Sequence, residues 1–257
     1  MQQLDLQVRY FQDSTPLGVP CREENFVRRQ IRMSLPLAQT ALVLVDMWND
    51  HFNDSWLERA AHLTGAAVVP VLEAARAAVL KIIHASSPEV ASGFPQLERH
   101  QPPLPEPVPQ WPAADFRARQ GDYAAFRGPR HQPPGIGPHW NPRQDRLGMS
   151  PTIEVRDDDV VIATGQQLHD YLHECGILHL VYAGFATNWC ILHRDYGMRA
   201  MARKGYNLIL LRDATTGVEF PDTLDALFVT EVAVREVEQQ LGFSASNEDF
   251  FAACRNV

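Results

Sequence analysis

Four largely apolar runs, each with a helical pattern after it or close behind, narrow the folds open to this chain. They are Thr40–Val45, Leu80–Ala85, Leu178–Ala183 and Asn207–Leu211, with a shorter one at Val160–Ala163. A strand that is apolar at every position is covered on both faces, which is the condition of a central strand in a parallel sheet. Helical spacing follows over about Ala66–Ala78, Gln166–Cys175, Cys190–Lys204 (closed by Gly205) and Leu224–Leu241. Strands alternating with helices predict an α/β, three-layer α-β-α, doubly wound and mainly parallel sheet. Ligands bind such sheets at the carboxyl ends of the strands. Asp46 and Cys190 both lie just past a predicted strand end, so the fold can bring them together.

The chain is read as a single domain over 1–257, with two departures from this rhythm. Residues 1–37 form an N-terminal extension with alternating segments at Leu4–Tyr10 and Phe26–Ile31, predicting an edge hairpin. Residues 88–151 form an insertion: 13 of the 19 prolines lie between Pro95 and Pro151. Proline lacks a backbone donor and interrupts both helix and ladder. Five aromatics in that stretch (Trp111, Phe116, Tyr123, Phe126, Trp140) predict an ordered loop, packed either over the cleft or against a second subunit.

A net charge of -8 argues against a nucleic-acid partner. No run approaches the ~20 apolar residues of a membrane span, and the first residues do not read as a signal peptide. The four cysteines, Cys21, Cys175, Cys190 and Cys254, have no metal-ligand spacing. A reduced, cytoplasmic chain without cofactor or metal is expected. Only two basic residues are lysines, Lys81 and Lys204, against 21 arginines.

Cys190 follows the turn Gly184-Phe185-Ala186-Thr187-Asn188-Trp189 and opens a predicted helix. The positive end of a helix favours a thiolate, the reactive form of cysteine. Unpaired N–H groups of the first turn are suited to an oxyanion. The alternative is a small buried hydrophobe.

Two motifs carry a resemblance. Ala41-Leu42-Val43-Leu44-Val45-Asp46-Met47-Trp48-Asn49-Asp50-His51-Phe52 and Gly184-Phe185-Ala186-Thr187-Asn188-Trp189-Cys190-Ile191, continued by Arg199–Tyr206 and Asp213-Ala214, resemble the isochorismatase-like, or cysteine hydrolase, superfamily. The likeness spans roughly 38–87 and 152–245. It implies hydrolysis of a small amide, ureido or related C–N bond in a small-molecule substrate, by a homo-oligomer. It implies Cys190 as nucleophile, Asp46 as acid/base, a cis peptide at Phe185–Ala186, and an oxyanion hole from the N–H groups of Ala186 and Cys190. It also implies a lysine after the strand preceding the nucleophile strand, where this chain has none. Arg143, Arg146 and Arg156 are candidates to replace it. The competing expectations are a catalytically impaired homologue that binds a ligand or partner, and an isochorismatase-type vinyl-ether hydrolase.

Trp48, His51, His84 and Trp189 are candidate pocket residues by position. His193 and Arg194, one turn after Cys190, would either raise its thiolate character or, as favoured for Arg194, pair on the surface with Asp195 or Asp170. Asp213 is expected to bond a following turn.

Overall fold

The computed structural model describes residues 2–97, 111 and 146–257. Most of the Pro-rich stretch, and with it the alternatives of lid or interface and the candidate Arg143, lies outside the described residues.

Among the described residues, eight strands form one sheet in the order β2-β1-β8-β7-β6-β3-β4-β5. The strands are β1 (Gln3–Gln12), β2 (Val27–Pro36), β3 (Thr40–Val45), β4 (Lys81–Ala85), β5 (Val160–Ile162), β6 (His179–Gly184), β7 (Asn207–Leu211) and β8 (Phe243–Ala245). From β8 to β5 all neighbours are parallel, while β1 and β2 form an antiparallel hairpin. The hairpin joins the sheet through a single register pair, Arg9 with Ser244.

Alternation within each strand builds two apolar layers. In β3, Leu42 and Leu44 enter one core with residues of α1 (Asp54–Leu63), α2 (Val69–Ala77) and α8 (Asn247–Arg255). Ala41, Val43 and Val45 enter the other, with α4 (Gly165–Cys175), α5 (Cys190–His193), α6 (Met198–Arg203) and α7 (Phe228–Glu236). A four-residue helix, α3 (Pro88–Ala91), follows β4. The result is a mostly parallel sheet with helices on both faces. No helix among the described residues is long and apolar enough to cross a membrane.

The departures from the sequence reading have local causes. α1 and α2 run on through a π-helical turn at Thr64–Val68, so the helical stretch begins at Asp54. Its first ten residues bury only Trp56 and Ala60, too sparse a stripe to register as a period. α7 starts at Phe228 because the Glu219 carboxylate caps it, accepting from the N–H groups of Val229 and Thr230 at 2.9 and 2.8 Å. β8, three residues long, shows no alternation to read, and α8 behind it went unpredicted.

β3 is the switch point. β4 pairs on one side and β6 on the other, so Val45 faces Ala85 and Gly184. At φ +112° Gly184 brings its Cα against the end of β3: an added Cβ would lie 2.3 Å from the Val45 carbonyl oxygen. The strand ends carrying Asp46 and the nucleophile turn therefore close on each other without an intervening side chain.

Candidate active site

Asp46 leaves β3 in a left-handed conformation, φ 43°, where a non-glycine residue is strained. Its N–H donates to the Ala85 carbonyl at 2.9 Å and its side chain is 2% exposed. Three groups converge on the carboxylate. Arg194 Nε donates to Oδ2 at 3.0 Å, Tyr196 Oη donates to Oδ1 at 2.9 Å, and the Cys190 thiol bonds it as well. Burial raises the Asp46 pKa, opposed first by the charge of Arg194 and then by the hydrogen bonds of Cys190, Tyr196 and Arg194. The carboxyl is therefore readier than an ordinary one to take a proton.

The turn before Cys190 is held on both sides. The Phe185–Ala186 peptide is cis. Thr187 N–H donates to the Thr216 carbonyl at 3.1 Å, and Thr187 and Thr215 share a buried hydroxyl bond of 2.7 Å. Asn188 clasps Val218 through both of its amide atoms, at 3.1 and 2.9 Å. The Asp213-Ala214-Thr215-Thr216 stretch is thus the brace of the turn. Asp213 itself caps α8, accepting from the Asn247 N–H at 3.0 Å.

Cys190 differs from the sequence expectation. Its helix is only four residues long and its thiol pKa is raised, not lowered. Burial is the main cause and the negative charge of Asp46 the next. Arg194 and a hydrogen bond from the Ala186 N–H oppose them without prevailing. The thiol rests protonated, bonded to the group that can accept its proton.

Arg194 is the larger correction. The predicted helix over Cys190–Lys204 is broken at Arg194-Asp195-Tyr196-Gly197. Arg194 turns inward to Asp46, while Asp170 accepts from Gln166 and Asp195 accepts the Gly165 N–H at 2.7 Å. Two buried contacts set the turn. Tyr182 Oη donates to the Tyr196 carbonyl at 2.9 Å, and the missing side chain of Gly165 admits the Asp195 carbonyl, which a Cβ would meet at 2.1 Å. The other proposed substitutes stand elsewhere, Arg146 at 3.7 Å from Asp50 and Arg156 at 2.9 Å from Glu154. Arg194 and Tyr196 were legible only as a glycine and an aspartate set inside an otherwise helical run.

The aromatic candidates divide. The Arg194 guanidinium carbon lies 5.6 Å from the Trp48 ring centroid, and Trp48 Nε1 donates to Ser86 Oγ at 3.3 Å. Trp189 adjoins Cys190 and neighbours Phe52 and His51, with ring centroids 6.2 and 6.0 Å away. His51 is buried, accepts the Asn53 N–H at 3.1 Å through Nδ1, and packs on Trp56. Residues 148–150 return to this edge, with Trp48 bridging Met149. His84 does not join them: it is buried on the α2 side, with Nε2 3.0 Å from Asp159 Oδ2.

That placement gives a test. Burial raises the Asp159 pKa, but hydrogen bonds from His84, the Arg156 N–H and Arg76 outweigh it and hold the carboxyl below its usual range. A depressed carboxyl stabilises the fold above the unfolded-state value, and the contribution fades as pH falls through the folded value. The melting temperature of the wild type is expected to drop below about pH 4 more steeply than that of Asp159→Asn. That variant is expected to be less stable at pH 7, with unaltered Cys190 alkylation.

A buried acid and a thiol joined by a hydrogen bond thus stand at the switch point of a doubly wound sheet, with a backbone N–H on the sulfur. The sequence model of the Isochorismatase domain matches residues 40–237. The chain belongs to the isochorismatase family, whose members are hydrolytic. Solved structures share the fold at low identity. A cysteine hydrolase from Pseudomonas syringae pv. phaseolicola is 15% identical, with TM-score 0.54, covering 86% of this chain and 95% of that one. An isochorismatase family protein from Burkholderia thailandensis is 20% identical, with TM-score 0.50, covering 85% and 96%.

Proposed function

We propose that this protein hydrolyses a small amide, ureido or related C–N bond, with Cys190 as nucleophile and Asp46 as acid and base. The observation that carries the reading is the hydrogen bond between the Cys190 thiol and Asp46, with the Ala186 N–H at the sulfur. As sulfur attacks the acyl carbon, its proton passes to Asp46. The negative charge then sits on the former carbonyl oxygen, which accepts from the N–H groups of Ala186 and Cys190. Asp46 returns the proton to the departing nitrogen and the C–N bond breaks, leaving a thioester. Water, deprotonated by Asp46, attacks the thioester, and the acid leaves as the thiol is restored. Burial of Asp46 serves both transfers, because a desolvated carboxylate is a stronger base.

The test is ammonia release from a panel of small carboxamides and N-carbamoyl compounds. Cys190→Ala is expected to lose turnover by about 10³-fold or more, the scale of losing a nucleophile. A substrate hydrolysed at the full rate by Cys190→Ala would sink the reading. If the same activity disappeared in Asp46→Asn, aspartate-driven hydrolysis without the thiol would stand in its place; release of a carbonyl compound from vinyl ethers, lost in Asp46→Asn and kept in Cys190→Ala, would mark an isochorismatase-type enzyme instead.

A further inference from the structure

Arg194 has more donors than Asp46 uses. A guanidinium carries five N–H groups in one plane. Among the described residues its hydrogen bonding is through Nε to Asp46 alone. Its side chain is 32% exposed, against 2% for Asp46. The guanidinium carbon lies 5.6 Å from the Trp48 ring and 5.8 Å from the Tyr196 ring, which fixes the plane of the fork. Trp48 is in turn tied to Ser86 and bridged to Met149, so the wall beside the fork is built into the fold. Cys190 and Arg194 bond the same carboxylate, and the charge of Arg194 acts on the thiol.

We infer that Arg194 is a specificity-determining residue that receives a carboxylate of the substrate, placed one or two bonds from the carbon that Cys190 attacks. The inference rests on the reading of Cys190 as nucleophile and deepens it by naming the substrate class: small acids with an amide or ureido carbon near the carboxylate. Three features favour a carboxylate over a neutral amide. The fork matches two oxygens in one plane, the charge is permanent, and it is already half withdrawn from water.

Two alkylating probes of similar shape test this on the full-length protein, without a known substrate. Iodoacetate carries a carboxylate beside its electrophilic carbon, and iodoacetamide a neutral amide. Rates at Cys190 are followed by peptide mass spectrometry at about pH 9, above the ordinary thiol value. The exposed Cys175 in the same molecules is the reference. The iodoacetate-to-iodoacetamide ratio at Cys190, divided by that at Cys175, is expected to be about tenfold or more, the scale of one charge-assisted pair. It should fall to about one in Arg194→Met and partway in Arg194→Lys, which keeps the charge and loses the fork. Tyr196→Phe, which removes the other donor to Asp46, is expected to change both rates and keep the ratio. A wild-type ratio near one overturns the inference, as does a ratio unchanged in Arg194→Lys and Arg194→Met; if the methionine variant does not fold, the lysine variant and the wild-type ratio decide. Full turnover in Cys190→Ala, read separately, would overturn the nucleophile reading too. Labelling by both with a ratio near one would remove only the role of Arg194.

Discussion

Asp46→Asn is expected to abolish turnover, by about 10³-fold or more, in a protein that still folds. An asparagine fills the same volume and its amide oxygen still accepts from Tyr196, which donates to Oδ1 at 2.9 Å. It cannot take the thiol proton or return it to a leaving nitrogen. A second readout moves the other way. In the wild type the negative charge of Asp46 helps to raise the Cys190 pKa, while Arg194 opposes it. Removing the anion leaves only burial to raise the thiol pKa against the cation, so the pKa falls and iodoacetamide labelling begins at lower pH. Loss of turnover with easier alkylation separates a missing proton carrier from a disturbed fold, which would slow both. Turnover within a few-fold of the wild type, or a labelling profile moved to higher pH, would contradict the role given to Asp46.

Glu238→Ala is expected to be the most destabilising single change away from the site. Its side chain is fully buried in the turn after α7. It accepts from Arg9 Nε at 2.5 Å, Arg28 Nε at 2.7 Å and Ser244 Oγ at 2.7 Å. Arg9 and Ser244 are also the one register pair joining the hairpin to the sheet. Breaking a buried ion pair from one side costs about 3–5 kcal/mol. The two arginines are 20% and 31% exposed and can regain water, so a figure near 3 kcal/mol is expected. For a chain of this size that corresponds to a loss of roughly 6–12 °C in melting temperature. Hydrogen exchange should rise first in β1 and β2. Uniform exchange across the sheet, or a melting temperature unchanged, would refute the anchoring role.

The central strands were legible because a strand covered on both faces leaves a continuous apolar run, as at Thr40–Val45 and Asn207–Leu211. Asp46 and Cys190 were legible because each directly follows such a run or its turn. Arg194 and Tyr196 were not, since their roles depend on a break between α5 and α6 that periodicity cannot register. Helical spacing through Met198 and Met201, both buried, reads the same with or without the four intervening residues. His84 erred for a related reason. Its place at a strand end is a one-dimensional fact, whereas the side of the sheet it occupies is set by the pleat, which turns it to Asp159.

The break at residues 194–197 has a consequence for how this site can vary. An unbroken helix advances about 100° per residue, so positions 190 and 196 would stand some 120° apart around its axis and would not converge on one carboxylate. The interruption uncouples helical phase: α5 aims its cysteine while α6 seats its methionines in the core by an independent rotation. Residues can therefore be exchanged in α6 for packing without turning the nucleophile. Conversely, the cation and the sulfur travel together on one short segment, pinned from below by Tyr182 and from the side by Gly165.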